Sequence, residues 1–146
     1  MFNNKQEVIQ GIHRFSAEHK VPVKYITVGG GAAMVLMGLR ESTDDLNLWI
    51  ESDQFMRLAE DCKVLVHPLR DTVIQLPTPK YYIRQRNMWF NHEVIEGFQV
   101  FDVMGLILQK RGGYAEHQRP LAKRQQDMID LKLLAEIHAE RHKVRA

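Results

Sequence analysis

The stretch YITVGGGAAMVLMGLRESTDDLNLWI, from Tyr25 to Ile50, decides the fold. An apolar strand (Tyr25, Ile26, Thr27, Val28) runs into Gly29, Gly30 and Gly31, and the helix-prone run from Ala32 to Leu39 follows. Glycines without a Cβ let backbone N–H groups come close to a phosphate where a helix begins. Gly38, Leu39 and Arg40 lead on to Thr43, and a second apolar segment carries Asp45 and Asn47 two residues apart before Trp49 and Ile50. Residues two apart in a strand project from one face, so Asp45 and Asn47 share a side of the sheet. Asp44 points to the opposite face or lies with Ser42 in the turn before the strand.

This order of residues resembles the nucleotidyltransferase superfamily, in particular its small members related to abortive-infection toxins. The matching features are the strand, the glycines, the short helix, Gly38 and Arg40, Thr43, and then Asp45-Leu46-Asn47 where the family has Asp-apolar-Asp. The resemblance implies an α+β (α/β) fold: a polymerase β-like mixed sheet flanked by helices, with a C-terminal helical segment. It places Asp45 and Asn47 at the catalytic and metal-binding positions, with Mg²⁺ as the cofactor. It also makes Gly29, Gly30, Gly31, Arg40 and Thr43 nucleotide-binding residues, a nucleoside triphosphate the donor, and an RNA or a protein the acceptor. In such a site two carboxylates hold Mg²⁺ ions that bridge the triphosphate. Asn47 offers a carbonyl oxygen to a cation but no negative charge.

The C-terminal third carries the second part of the resemblance. Asp102 is placed to cap a helix with Val103, Leu106, Ile107 and Lys110 at helical spacing, and Gly112 and Gly113 are expected to end it. A basic stretch with Arg119, Lys123 and Arg124 precedes Asp127 and Asp130, which lead into an apolar helix with Leu131, Leu133 and Leu134. A lysine on one helix followed by Arg-x-x-Asp-x-x-Asp-Leu is similar to the same small nucleotidyltransferases, and matches Lys110, Arg124, Asp127, Asp130 and Leu131. By this likeness Lys110 joins the nucleotide-binding set. The spacing alone also allows a salt-bridge cluster that pins two helices, because Arg124, Asp127 and Asp130 lie three apart on one helical face. A third carboxylate of the family type has no position here. The middle strands offer Gln75, Arg84, Gln85 and Arg86, Glu93 and Glu96 fall where strand and helix are both open, and Asp102 serves as a cap.

With 146 residues and 45% hydrophobic content the chain suits one domain, its core over about residues 25–101 and its C-terminal helices over about 102–140. A formal net charge of +2 does not by itself point to nucleic acid. The lone cysteine, Cys62, excludes an internal disulfide and fits a reducing compartment, with burial as its default fate. No apolar run has the length of a signal peptide or a membrane span, so a cytoplasmic protein without membrane contact is expected.

Elsewhere the patterning predicts a helix from Glu7 to Lys20 ended by Pro22, and a helix from Ser52-Asp53 burying Phe55, Leu58 and Ala59. Short extended segments are expected at Val64 to Val66, Thr72 to Leu76, Tyr81 to Arg84 and Phe98 to Phe101. Pro68, Pro77 and Pro79 punctuate them, and residues 87–97 read as either strand or helix. Tyr81, Tyr82, Trp89 and Phe90, interleaved with Lys80, Arg84 and Arg86, read as core or as base-stacking platform. His138 and His142 read as surface residues rather than a metal pair, and Arg141, Lys143 and Arg145 as a solvated tail.

Three readings are open. The chain is a nucleotidyltransferase-fold protein that binds nucleotide or RNA with weakened or lost transfer, an active Mg²⁺-dependent nucleotidyltransferase of toxin type, or a non-catalytic interaction or inhibitor protein with a protein partner in a toxin-antitoxin or phage-host system. Asn47 and the unplaced third carboxylate favour the first.

Overall fold

The computed structural model describes residues 1–69, 72–76, 80–86, 91–115 and 120–141. Helix α1 (Lys5–His19) starts where the Asn4 side chain accepts the Glu7 N–H at 2.9 Å and ends at Lys20 in the left-handed region. Val8, Ile12 and Phe15 form its buried stripe. Strand β1 (Ile26–Gly29) passes directly into α2 (Gly30–Leu36), and a loop leads to β2 (Leu46–Ile50). Helix α3 (Ser52–Asp61) is followed by β3 (Val73–Leu76) and β4 (Tyr81–Gln85). Then come β5 (His92–Ile95), β6 (Phe98–Phe101), α4 (Val103–Ala115) and α5 (Leu121–Arg141). None of the described helices is long and apolar enough to cross a membrane.

The strands form one mixed sheet in the order β3-β4-β2-β1-β6-β5. The two central strands, β1 and β2, are antiparallel, with Gly29 opposite Asn47. Each then takes a parallel neighbour, β6 beside β1 and β4 beside β2, and antiparallel β5 and β3 close the edges. Strict alternation gives the sheet two different faces. Leu46, Leu48 and Ile50 are buried with Ile26, Val28, Tyr81, Ile83, Phe98 and Val100, on the side packed by α1, α2 and α3. The opposite side carries Asn47, Trp49, Tyr82, Arg84 and Gln99, all half-buried. Burial pushes the Tyr81 hydroxyl above its ordinary pKa of 10.0, with Arg14 opposing and Glu18 adding to the shift. That hydroxyl donates to the Gly11 carbonyl at 2.9 Å.

Several sequence expectations are corrected. The helix after the glycines begins at Gly30 and stops at Leu36. Helix α3 does start at Ser52, as expected, and the Ser52 Oγ accepts from Gln85 Nε2 at 2.8 Å. Val64 to Val66 join no strand: Lys63 turns left-handed (φ 57°) and Val64 donates to the Ala59 carbonyl, so the start of this segment seals the end of α3. Gly112 and Gly113 do not end α4, which continues to Ala115. A helical glycine costs only about 1 kcal/mol against alanine, and packing along α5 overrides that. Asp102 does cap α4, accepting from the Gly105 N–H at 2.8 Å. Residues 92–95 are strand. Cys62 is half-buried. Pro77, Pro79, Trp89, Phe90, Arg119, His142, Lys143 and Arg145 lie outside the described residues.

Candidate functional site

The end of β1 and the start of β2, in the middle of the sheet, meet the helices α4 and α5. The three glycines allow that approach, each through a different neighbour. A Cβ on Gly29 would stand 2.5 Å from the Trp49 ring, and one on Gly31 would stand 2.5 Å from Thr43 Oγ1 and 2.8 Å from an Arg40 guanidinium nitrogen. Gly30 has φ +57° and faces the Asn47 carboxamide, with its own N–H donated to Gln109 Oε1 at 3.3 Å. The glycine turn therefore lies against Asn47, Thr43 and Arg40. Its first helical amide is already satisfied by a side chain of α4.

Asp45 sits in the bend just before β2 and Asn47 within it, and the two side chains meet: Asn47 Nδ2 donates to Asp45 Oδ1 at 3.1 Å. The second carboxylate oxygen, Oδ2, lies 3.5 Å from Lys123 Nζ at the first turn of α5. Thr43, buried, donates its hydroxyl to the Asp45 carbonyl at 3.0 Å and so fixes the bend that aims Asp45. Asp44 is exposed and takes no part.

Beside this cluster lies a buried charge network. Lys110 Nζ is 2.9 Å from Asp130 Oδ2 and 3.3 Å from Asp127 Oδ1, and all three residues are buried. Arg40 reaches the same Asp130 oxygen at 3.5 Å, and Gln126 Nε2 donates to Asp130 Oδ1 at 2.8 Å. Lys110 ties α4 to α5, and Arg40 ties the loop after α2 to α5. Carboxylates that lose their only water to burial need such partners, and here they have them.

No protein-family model, curated protein or solved structure matches the chain. The chemistry of the site is carried by the residues just described.

The donor set around Asp45 can be tested against a magnesium pair. One carboxylate, one carboxamide and an ammonium at 3.5 Å lack the negative charge that two hard divalent ions require, and the amide turns its NH₂ toward Asp45. Among the described residues no group of three or more histidine, cysteine or acidic side chains is arranged around one point. On the family pattern a third ligand would come from a later strand, and the residue laddered to Asn47 on β4 is Tyr82.

Two participants escaped the sequence reading. Lys123 was seen only as part of a basic stretch. It stands four residues before Asp127 and seven before Asp130, and that shared helical face was the available signal. Gln109 precedes Lys110 and carries no pattern that marks it. Its Nε2 is buried without a hydrogen-bond partner among the described residues while its Oε1 holds Gly30.

Proposed function

We propose that this chain is a nucleotidyltransferase-like protein that binds nucleotide or RNA and has weakened or lost nucleotide transfer. The observation that carries this reading is the state of Asp45, whose two oxygens are engaged by the Asn47 amide and by the Lys123 ammonium. Lys123 supplies from within the chain the positive charge that a metal ion would otherwise bring, so the carboxylate is balanced without one. The ancestry half of the reading is supported by the glycine turn lying against Asn47, Thr43 and Arg40, with Gly29 opposite Asn47 in the β1–β2 ladder.

The reading is tested with labelled nucleoside triphosphates and either Mg²⁺ or Mn²⁺. The expected result is binding without efficient transfer, and binding that changes little when the divalent ion is withdrawn. The double variant Asn47→Asp, Lys123→Gln is expected to take up Mg²⁺ in calorimetry where the natural chain does not. Efficient transfer by the natural chain, abolished in Asp45→Ala, would show an active enzyme instead. Absence of binding to every triphosphate and to RNA would favour the interaction or inhibitor protein.

A further inference from the structure

We infer that residues 1–3, the short segment ahead of α1, position the candidate site, with Phe2 as the anchor that holds the Asp45 bend through Thr43. The inference rests on the nucleotide-or-RNA reading above and adds to it a positioning residue that the sequence order does not mark. Phe2 and Thr43 form an isolated antiparallel bridge. The Phe2 N–H donates to the Thr43 carbonyl at 2.8 Å, and the Thr43 N–H donates to the Phe2 carbonyl at 2.9 Å. The Thr43 hydroxyl donates to the Asp45 carbonyl at 3.0 Å. Thr43 thus gives both backbone groups to Phe2 and its side chain to Asp45, the residue whose carboxylate meets Asn47 and Lys123.

The Phe2 ring is what keeps this bridge closed. Two backbone hydrogen bonds outside any strand contribute modestly by themselves. The ring, however, is only 5% exposed, and its centroid lies 6.3 Å from that of Tyr81. Gly11, in the middle of α1, makes the space: a Cβ there would stand 2.7 Å from the Phe2 ring and 2.9 Å from the Leu46 side chain. A glycine inside a helix weakens it, and here the missing Cβ admits both side chains. Phe2 therefore braces the bend from two sides, at Thr43 by its backbone and next to Leu46 by its ring, and Asp45 lies between them. Helix α1 does not depend on this segment. Its first turn is capped by the Asn4 side chain, which accepts from the Glu7 N–H, and by the Asn4 carbonyl, which accepts from the Val8 N–H at 3.2 Å. Residues 1–3 can leave their place without unwinding α1, and Thr43 then loses both backbone partners while Asp45 loses the support of its bend.

The test compares the natural chain with Phe2→Ala, Phe2→Leu, Thr43→Val and the double variant Phe2→Ala, Thr43→Val, each checked for folding by circular dichroism. Phe2→Val takes the place of Phe2→Ala if alanine leaves the chain unfolded. The first readout needs no nucleotide: trace acetylation with acetic anhydride, the rate at Lys123 being taken relative to that at Lys132, exposed on the same helix. A loosened Asp45 bend releases the Lys123 amine from its carboxylate, so Lys123 should react about threefold faster in Phe2→Ala and in Thr43→Val. The second readout is the affinity for ATP and for GTP by calorimetry. It should fall about tenfold in each single variant and by about the same factor in the double variant, because both substitutions cut one path. Phe2→Leu refills the space with an apolar side chain and should stay within about twofold of the natural chain in both readouts. A role in stability alone would lower the urea midpoint and leave both readouts unmoved in the folded variants. That result, or losses of affinity that multiply in the double variant, would overturn the inference. Raised Lys123 rates in a chain that binds neither triphosphate would count against the nucleotide reading and leave the positioning role standing.

Discussion

The closed end of the sheet and its open face use the same kinds of residue in opposite ways. At the closed end Lys110 and Arg40 meet Asp127 and Asp130, and Lys123 meets Asp45, so cation and carboxylate are matched inside the chain. On the open face Arg86 is positioned by Thr27 and Gln99, which leave its charge intact, and Arg84 lies on an indole. The contrast separates cations matched by carboxylates from one, Arg86, that neutral side chains hold among the described residues. It also reassigns Lys110 in physical terms: an ammonium shared between two buried carboxylates is first a cross-link between α4 and α5.

The comparison is broken most directly at Lys110. Lys110→Met leaves two buried carboxylates short of their main cation and should cost about 3–5 kcal/mol, read from the urea midpoint. A variant as stable as the natural chain would mean that the closed end is not structural. At the glycine turn, Gly31→Ala drives a methyl into Thr43 Oγ1 and should cost about 1–3 kcal/mol, partly recovered in combination with Thr43→Ala. On the core side, Tyr81→Phe should cost about 1 kcal/mol through loss of the buried hydrogen bond to the Gly11 carbonyl. It should also remove a pH dependence. Because the folded pKa of Tyr81 is raised, its stabilising contribution is complete below pH 10.0 and is lost as pH rises through the higher folded value, a decline measurable by denaturation at alkaline pH. On the open face, Tyr82→Leu should lower stability by less than about 1 kcal/mol, since this half-buried ring keeps most of its apolar contact and loses the hydrogen bond from Gln75. An effect there as large as that at Lys110 would erase the distinction between the two regions.

Much of the frame was legible because the sequence obeys simple periods. Leu46, Leu48 and Ile50 alternate with Asn47 and Trp49, which fixes both the strand and its buried face. Asp102 ahead of Val103 marked a helix start that the structure bears out. Asp127 and Asp130 sharing one helical face was readable from spacing, whereas their common partner, Lys110 on α4, is brought to them by the fold. Gly112 and Gly113 misled because a local stop signal of about 1 kcal/mol per glycine was outweighed by helix packing that no local window contains. Lys123 misled in the other direction. Its partner Asp45 is 78 residues away, and only the folded chain brings them together.

Strand β1 sits at the centre of the sheet, yet one of its partners, β6, lies far down the chain: Thr27 and Gln99 are 72 residues apart. The β1 ladder can therefore be completed on one side only early in folding, when β2 arrives. Until β6 closes the other side, β1 presents a row of unpaired amides and carbonyls flanked by Ile26 and Val28. Closing so long a loop before its contacts give any return slows folding. An emerging chain would thus carry a sticky internal strand edge until Phe98–Phe101 has been made, and the parallel β1–β6 join is the step at which aggregation competes with the native sheet.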